Sequence, residues 1–344
     1  MQEVRKKLKR SAIWQTVTGI AFAVSIIVIF SIDLRFRYDD AIEQGKKTAM
    51  NFAEVLSEHT ALTFENVERT LLEAAKIRKD TLDGDYATQE ETNAALRLLA
   101  KTSPVVVAVG WTNASGELLA HSYDRAPPRS NIATMSHFTA QRDRGSDRLY
   151  VAAPFRSAVS DKWLTAASLR LNNTDGTFAG VVSTPLDQSY FAKIYRSIDV
   201  GAHGSILLLH TDGLVLAREP TVEGMIGRSF AGGPLLTQYL PKSDSGSYET
   251  VSVIDGRVRI AGYKAVRGLP LVLLVTYARA DVLLQWQHHV MAFGPLVALF
   301  VAAILLGTFL IVRQTMALRE KSGILELKSR ELEQTNERFD IALS

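Results

Sequence analysis

The residues best suited to hold a ligand lie in the run Trp163-Leu-Thr-Ala-Ala-Ser-Leu-Arg170. Read as a strand, its alternation puts Ala166, Ser168 and Arg170 on one face and Trp163, Thr165, Ala167 and Leu169 on the other. Small side chains leading to an arginine leave room beside a planar fork that matches a carboxylate. Arg170 is therefore the leading candidate contact for an anionic or zwitterionic small molecule, with Ser168 beside it. A structural pairing of Arg170 with a carboxylate such as Asp187 would account for the same residues equally well. Tyr150, Trp163, Trp111 and Phe138 are candidates to wall a pocket, although aromatics in strands also make core. Arg142, His121 and His137 are candidates for further polar contacts, or else for solvated loop and strand-end positions.

Catalytic constellations are missing by comparison. Gly201-Ala-His203-Gly-Ser205 brings a histidine close to a serine, but no G-x-S-x-G elbow or placed acid accompanies them, so the segment reads as a flexible lead into a strand. There is no H-E-x-x-H and no phosphate-binding G-x-x-x-x-G-K-[ST]. His288 and His289 are adjacent, and neighbours on a helix do not face one ligand, so the pair reads as interfacial. The chain has no cysteine, which excludes disulfides, thiolate metal sites and a cysteine nucleophile. No metal or cofactor is expected, and the chain itself reads as non-catalytic.

The elements that must position these residues are bracketed by two uncharged apolar runs, Ala12 to Ile32 and Val290 to Val312. Each is long enough at 1.5 Å per residue to cross a hydrocarbon core of about 30 Å. Arg5, Lys6, Lys7, Lys9 and Arg10 precede the first run, and Arg313 and Arg319 follow the second. On the other side Arg35 and Arg37 are offset by Asp33, Asp39 and Asp40. The positive-inside rule then places both termini in the cytoplasm and the central domain outside. A cleaved signal peptide is the competing reading of the N-terminus, against which stand the length of the run and the lack of an A-x-A-like site. The formal charge of +3 comes largely from the N-terminal cluster, which suits an anionic inner leaflet. No basic stripe with interleaved aromatics suggests nucleic acid.

From Phe36 to Lys79 there is no proline, and Ala49, Phe52, Leu56, Phe64, Val67, Leu71 and Ala74 recur at helical spacing with Thr60 filling the gap. This predicts one long helix, ended by Asp83-Gly84-Asp85. Thr88-x-x-Glu91 then has the form of a capping box, and Pro104 closes the second helix. Beyond it the period becomes extended: VVVAVGW, LYVAAPF, WLTAASLRL and FAGVVSTPL, then SILLLH, LVLARE, SYETVSVI, RVRIAGYKAV and LPLVLLVTY. Asp255-Gly256 predicts a tight hairpin turn in the second series. Each series opens with a strand, a glycine turn (Asn113 to Gly116; Thr211 to Gly213) and a strand ending in polar residues, which reads as an internal repeat. The organisation is a cytoplasmic N-terminus (1–11), a first span (12–32), a long outer helix (33–83), a membrane-distal module (84–197), a membrane-proximal module (198–280), a juxtamembrane helix (281–289), a second span (290–312) and a cytoplasmic helix (313–344).

The strings PFRSAVSDKWLTAASLRLNNTDGTFAGVVSTPLDQSYF and GSILLLHTDGLVLAREPTVEGMIGRS, in this order of elements, resemble the double Cache sensor domains of bacterial membrane receptors. The resemblance covers residues 36 to 285 and implies an α+β fold: a long helix with two tandem PAS-like antiparallel modules, set between two transmembrane helices. It also implies a periplasmic domain on the inner membrane that binds a small metabolite. The chain departs from the family at TMSHF (134–138), where an acidic-basic-aromatic element is frequent. It departs again at Leu169, where a second arginine often precedes Arg170, and it lacks the Arg-x-Trp-Tyr motif of the amino-acid-binding subset.

After the second span Leu318, Leu325, Leu332 and Phe339 mark one seam of a coiled coil, which predicts a homodimer. A solvated single helix is the plain reading of the same residues. The segment lacks the length and early proline of a HAMP linker. NERFDIALS resembles the lead-in to PAS domains of alphaproteobacterial GGDEF/EAL proteins, which implies a cyclic di-GMP output in a chain read as truncated at Ser344. The input half of a sensor histidine kinase is the alternative. A ligand-free, membrane-anchored partner-binding protein is the alternative of another class.

Overall fold

The computed structural model describes residues 2–124, 131–144, 148–156 and 163–343. Residues 157–162 of the first string, and the side chains of Arg5, Lys6, Lys7, Lys9, Arg319 and Phe339, lie outside the described residues. Helix α1 runs unbroken over Gln2–Asp83. From Ala49 onward its buried stripe includes the expected Ala49, Leu56, Thr60, Phe64, Val67, Leu71 and Ala74, while Ala53 is buried in it and the expected Phe52 only partly so. Thr60 is tolerated there because its hydroxyl donates to the Leu56 carbonyl at 2.7 Å. Gly84, with φ of 93°, ends the helix in the left-handed conformation that lacks a steric penalty only for glycine. Helix α2 (Gln89–Ala100) opens on Thr88 with the reciprocal Thr88 and Glu91 capping box formed.

The first sheet contains β1 (Gly110–Thr112), β2 (Leu118–His121), β3 (Tyr150–Val151), β4 (Phe155–Arg156), β5 (Trp163–Asn172) and β6 (Phe178–Asp187), with helix α3 (Ser136–Arg144) inserted after β2. Its order is β2-β1-β6-β5-β3, and β4 also pairs with β5. Helix α4 (Ser189–Tyr195) leads to the second sheet: β7 (Ser205–His210), β8 (Val215–Glu219), β9 (Ser245–Val251), β10 (Val258–Ala265) and β11 (Leu271–Ala278), in the order β8-β7-β11-β10-β9. Every pairing is antiparallel. The two orders are the same once β1 is matched to β7, so the modules share a connectivity as well as a sequence pattern. The fold is α+β, with two antiparallel sheets on a long helix.

Three local expectations need correction. VVVAVGW yields only the short β1 plus an isolated bridge between Val106 and Leu186. LYVAAPF splits into β3 and β4 around Pro154, which cannot donate to a ladder. Asp255-Gly256 does lie in the hairpin between β9 and β10, with Gly256 at φ 68°. The connection is wider than a two-residue turn: the backbone bond that closes it runs from the Ser252 amide to the Arg257 carbonyl at 2.9 Å, and the Asp255 carboxylate accepts from Arg259 at 2.8 Å.

One apolar core joins the α1 stripe to the inner faces of both sheets, including Trp111, Ala167, Leu169 and Val182 from the first and Ile206, Leu208, Leu273 and Val275 from the second. A second cluster, with Leu207, Leu209, Val215, Leu235, Tyr248, Ala261, Tyr263 and Val272, fills the opposite face of the second sheet.

The compact unit of residues 42–282 is distinct from one formed by residues 1–41 and 283–344. The latter holds the first part of α1 and helix α6 (Leu284–Leu343), which follows the short α5 (Arg279–Val282). Its apolar windows have mean hydropathy 2.3 and 2.7 and are 6% and 0% buried, so neither is the core helix of a soluble protein. Both are long and apolar enough to cross a membrane. The Trp286 indole donates to the Leu34 carbonyl at 2.9 Å, and Tyr38 packs edge-on against the same ring. A β-carbon at Gly19 would come within 2.2 Å of the Thr308 hydroxyl, so the two helices approach closely there.

Glycine is required at Gly262 of β10, where a β-carbon would lie 2.4 Å from backbone atoms of Ala49 and Met50 of α1. Gly262→Ala is expected to cost about 1–3 kcal/mol and to lower Tm by several degrees. Gly232→Ala, with nothing within 4 Å, should leave Tm within about a degree. Thermal unfolding of the detergent-solubilised chain measures both.

Candidate functional site

Strand register defines the candidate site. Tyr150 opposes Ser168, Ser168 opposes Ser183, Ser183 opposes Gly110, and Gly110 opposes His121. Directly opposed residues share a face, so Tyr150, Ser168, Ser183 and His121 form a polar row across five strands, roughly 19 Å at 4.8 Å per strand. This face is turned away from α1, because Trp111, Val182, Ala167 and Val151, the intervening residues, belong to the α1 core. Gly110 is the gap in the row. A β-carbon there would press on the Ala120 carbonyl at 2.6 Å. Tyr150, Ser183, Pro185 and His121 are partly exposed, whereas Ser168 is fully buried. The His121 Nδ1 is buried and has no hydrogen-bond partner among the described residues, and Tyr123 stands beside its ring at 5.8 Å.

Helix α3 covers one end of this face and is held there by polar bonds. Ser168 Oγ donates to the His137 carbonyl at 2.7 Å, and the buried Gln141 amide donates to the carbonyls of Ser168 at 2.7 Å and Arg148 at 3.1 Å. Arg170 completes the attachment. Its Nη1 donates to the carbonyls of Gln141 at 2.7 Å and Arg142 at 3.1 Å, at the C-terminal end of α3 where carbonyls lack helical partners. Its Nε donates to Asn172 at 2.7 Å, and the guanidinium lies 4.7 Å over the Phe178 ring. Phe178 in turn meets Phe138 edge-on at 5.5 Å.

The structure thus brings Arg170, Ser168, Tyr150, His121 and Phe138 to one face, with Arg142 at its rim paired to Asp143 at 2.7 Å. Asp187 is on the same face but opposes Leu164, while Arg170 opposes Val181. The two lie six residues apart along β5, about 20 Å, so Arg170 and Asp187 do not pair. Trp111 is in the α1 core on the opposite face and walls no part of this row. Trp163 is also on the opposite face, at the end of β5, where its ring would meet a β-carbon on Gly227 of the second module at 3.2 Å. Gln141, Ser183, Gly110 and Phe178 were not anticipated. Ser183 was reachable by alternation along FAGVVSTPL, whereas the roles of Gln141 and Phe178 depend on a helix without a strong apolar pattern. Tyr150 and Gln141 also line a cavity of about 370 Å³ with His210, Thr211 and Pro270 of the second module. That size is near the lower end for small-molecule sites.

A family model described as a histidine kinase sensor domain, of the dCache-1-like group, matches residues 188–276. The extracellular domain of rpHK1S-Z16, designated a histidine kinase, is 31% identical, with 69% of this chain and 95% of that one covered at a TM-score of 0.62. The chain belongs to the double Cache sensor family. The ligand-binding domain of the Pseudomonas fluorescens chemoreceptor CtaA, in complex with L-isoleucine, shares the fold at 16% identity, TM-score 0.55, covering 72% of this chain and 98% of that one. So does that of Mlp24 with asparagine, at 15% identity, TM-score 0.54, covering 74% and 99%. No curated protein matches the sequence.

As a double Cache domain this is a non-catalytic sensor, and its two modules differ in one respect. The face turned from α1 is polar and partly exposed in the first module. In the second most of it is packed with leucines and the stacked Tyr239 and Tyr248, 4.2 Å apart, with Arg218 and Arg259 at one end.

His137 reports on the closure of α3. Burial holds its pKa at about 4 against an ordinary 6.5, so the folded state keeps it neutral where the unfolded chain binds a proton. Stability is full above pH 6.5 and falls as pH drops toward 4, by up to about 3 kcal/mol. His137→Gln should flatten that acid limb in equilibrium unfolding measured from pH 7 to 4.5.

Proposed function

We propose that this chain is the input part of a homodimeric receptor in a bacterial inner membrane. Its distal module takes a small zwitterionic or anionic metabolite on the partly exposed members of the polar row, Tyr150, Ser183 and His121, with Ser168 buried beneath α3. The observation that carries this reading is the contrast between the modules. A sheet face finished with apolar side chains is stable by itself, whereas a partly exposed row of hydroxyls and an imidazole offers hydrogen bonds to something polar. The unpartnered His121 Nδ1 supports it, and the amino-acid complexes of CtaA and Mlp24 support the ligand size. Arg170 contributes mainly by fixing α3 over the row. A direct contact would require it to leave two carbonyls, a cost of the order of 1.5–3 kcal/mol per charged hydrogen bond.

Both termini are placed in the cytoplasm by the flanking charges. Leu318, Leu325 and Leu332 are exposed on α6, which supports a dimeric coil. For the output, NERFDIALS favours a PAS-led cyclic di-GMP module. The kinase designations of the matched family and of rpHK1S-Z16 favour a histidine kinase, and assays for diguanylate cyclase and autokinase activity in the full-length gene product distinguish them.

The test is a thermal-shift screen of the full chain against amino acids and organic acids, with Ser183→Leu in parallel. Ser183 is partly exposed on the face, so leucine should fold there and obstruct the row. A ligand at a hundred times its Kd should add about 2.7 kcal/mol, a rise of several degrees, in wild type only. An undiminished shift in Ser183→Leu would move the site elsewhere, and no shift across a broad library would favour the ligand-free partner-binding alternative.

A further inference from the structure

The second module's outer sheet face is apolar at one end and basic at the other. Arg218 of β8 opposes Leu207 of β7, so its side chain shares the face of the second cluster and not that of the α1 core. It is 6% exposed, and its Nε and Nη1 are buried without a hydrogen-bond partner among the described residues. A guanidinium cannot discharge itself by losing a proton, and buried donors left unpaired are costly. The sequence reading assigned Arg218 no role, because in LVLARE it looks like a solvated strand end.

The groups around it are polar and already oriented. Arg259 of β10, 7% exposed, donates to Asp255 at 2.8 Å, to the His203 carbonyl at 2.6 Å and to the Thr276 hydroxyl at 3.2 Å. Thr276 and Ser205 hold their hydroxyls 3.0 Å apart on the same face. Burial first, and the like charge of Arg259 second, push the Arg218 pKa down, while Asp255 and Glu219 draw it up. Glu219 is engaged by Arg196 at 3.2 Å, and Asp255 is shared with Arg257 at 3.6 Å as well as with Arg259. Glu219 and Asp255 are thus each shared with other arginines, which leaves the buried guanidinium of Arg218 without a carboxylate of its own. Beside it on the face stand Leu207 and Leu274, directly opposed in register.

We propose that this corner of the membrane-proximal module is a second ligand site, for a small aliphatic monocarboxylate. The carboxylate accepts from the unpartnered Arg218 donors and the short chain lies against Leu207 and Leu274. The apolar contact with the leucines distinguishes a short-chain carboxylate from inorganic phosphate, which has nothing to place there. The site is independent of the polar row in the distal module, so either assignment can fail without the other.

Sodium propionate is titrated into the full chain in nanodiscs, with sodium chloride holding ionic strength constant, followed by thermal unfolding and calorimetry. Saturable millimolar or tighter binding is expected, weaker for acetate, absent for inorganic phosphate, lost by at least tenfold in Arg218→Met and unchanged in Ser183→Leu. No saturable effect beyond chloride, equal affinity in Arg218→Met, or loss in Ser183→Leu would each overturn the proposal. Should Arg218→Met fail to fold, a crystal structure of the wild-type full chain with propionate decides it. The carboxylate against Arg218 supports the site, and propionate bound elsewhere refutes it.

Discussion

The buried stripe of α1 is packed against the inner faces of both sheets at once, in one continuous core, and that shared contact decides where function can lie. A sheet has two faces, and side chains alternate between them. Once Ala167, Leu169 and Val182 point at α1, Ser168, Arg170 and Ser183 must point away. Likewise Ile206 and Leu208 commit Leu207 and Leu209 to the other side. The close approach of α1 to β10, which leaves no room for a side chain at Gly262, fixes the helix against the second sheet closely enough that neither face can be exchanged by a register slip. Each module then has one remaining surface to finish, and the two finish it differently.

In the second module the finish is mostly non-directional, a cluster of leucines and tyrosines around Leu235 and Tyr248. In the first it is directional. Helix α3 buries Phe138 but otherwise depends on the hydrogen bonds of Ser168, Gln141 and Arg170 to backbone carbonyls. Buried polar groups cost little when every donor finds an acceptor and a great deal when one is lost. A helix attached by a few polar bonds and one deep aromatic belongs to the low-stability end of a fold, from which moving elements are drawn. The same logic makes two of the exceptions informative. Among the described residues, His121 Nδ1 and the Nε and Nη1 of Arg218 are buried polar atoms without a hydrogen-bond partner, and each lies on a face turned from α1.

What was legible in the sequence was what the hydrophobic period and local capping determine. The α1 stripe, its end at Gly84, the Thr88 capping box, the two strand series and the side of β5 on which Arg170 lies all follow from spacing alone. Helix α3 did not follow, because only His137, Phe138 and Gln141 among its nine residues are buried, two of them polar, and an amide on a carbonyl leaves no periodic trace. Trp111 and Trp163 were misplaced for a related reason. An aromatic in a strand reads as a wall of whichever side holds the pocket, and only register shows that β1 pairs Trp111 with Val182 on the core side. The Asp255 loop is a third case, in which a turn signal was correct about position and silent about the length of the connection.

The opposed faces also constrain how sensing must work. A molecule on the polar row meets Ser183, whose neighbour Val182 packs in the α1 core, so the ligand and the helix interact only through the thickness of one sheet. Cores packed to crystal-like density do not deform continuously, so a ligand is felt at α1 only if it favours one of two discrete packings of that sheet. Helix α1 contains no proline and runs from Gln2 to Asp83. Helix α6 is built otherwise: Pro295 lies inside it, which removes the hydrogen bond to the Met291 carbonyl and makes bending cheap at that point. In the proposed receptor α6 therefore has a place to bend that its sequence defines, whereas α1 has none set by proline.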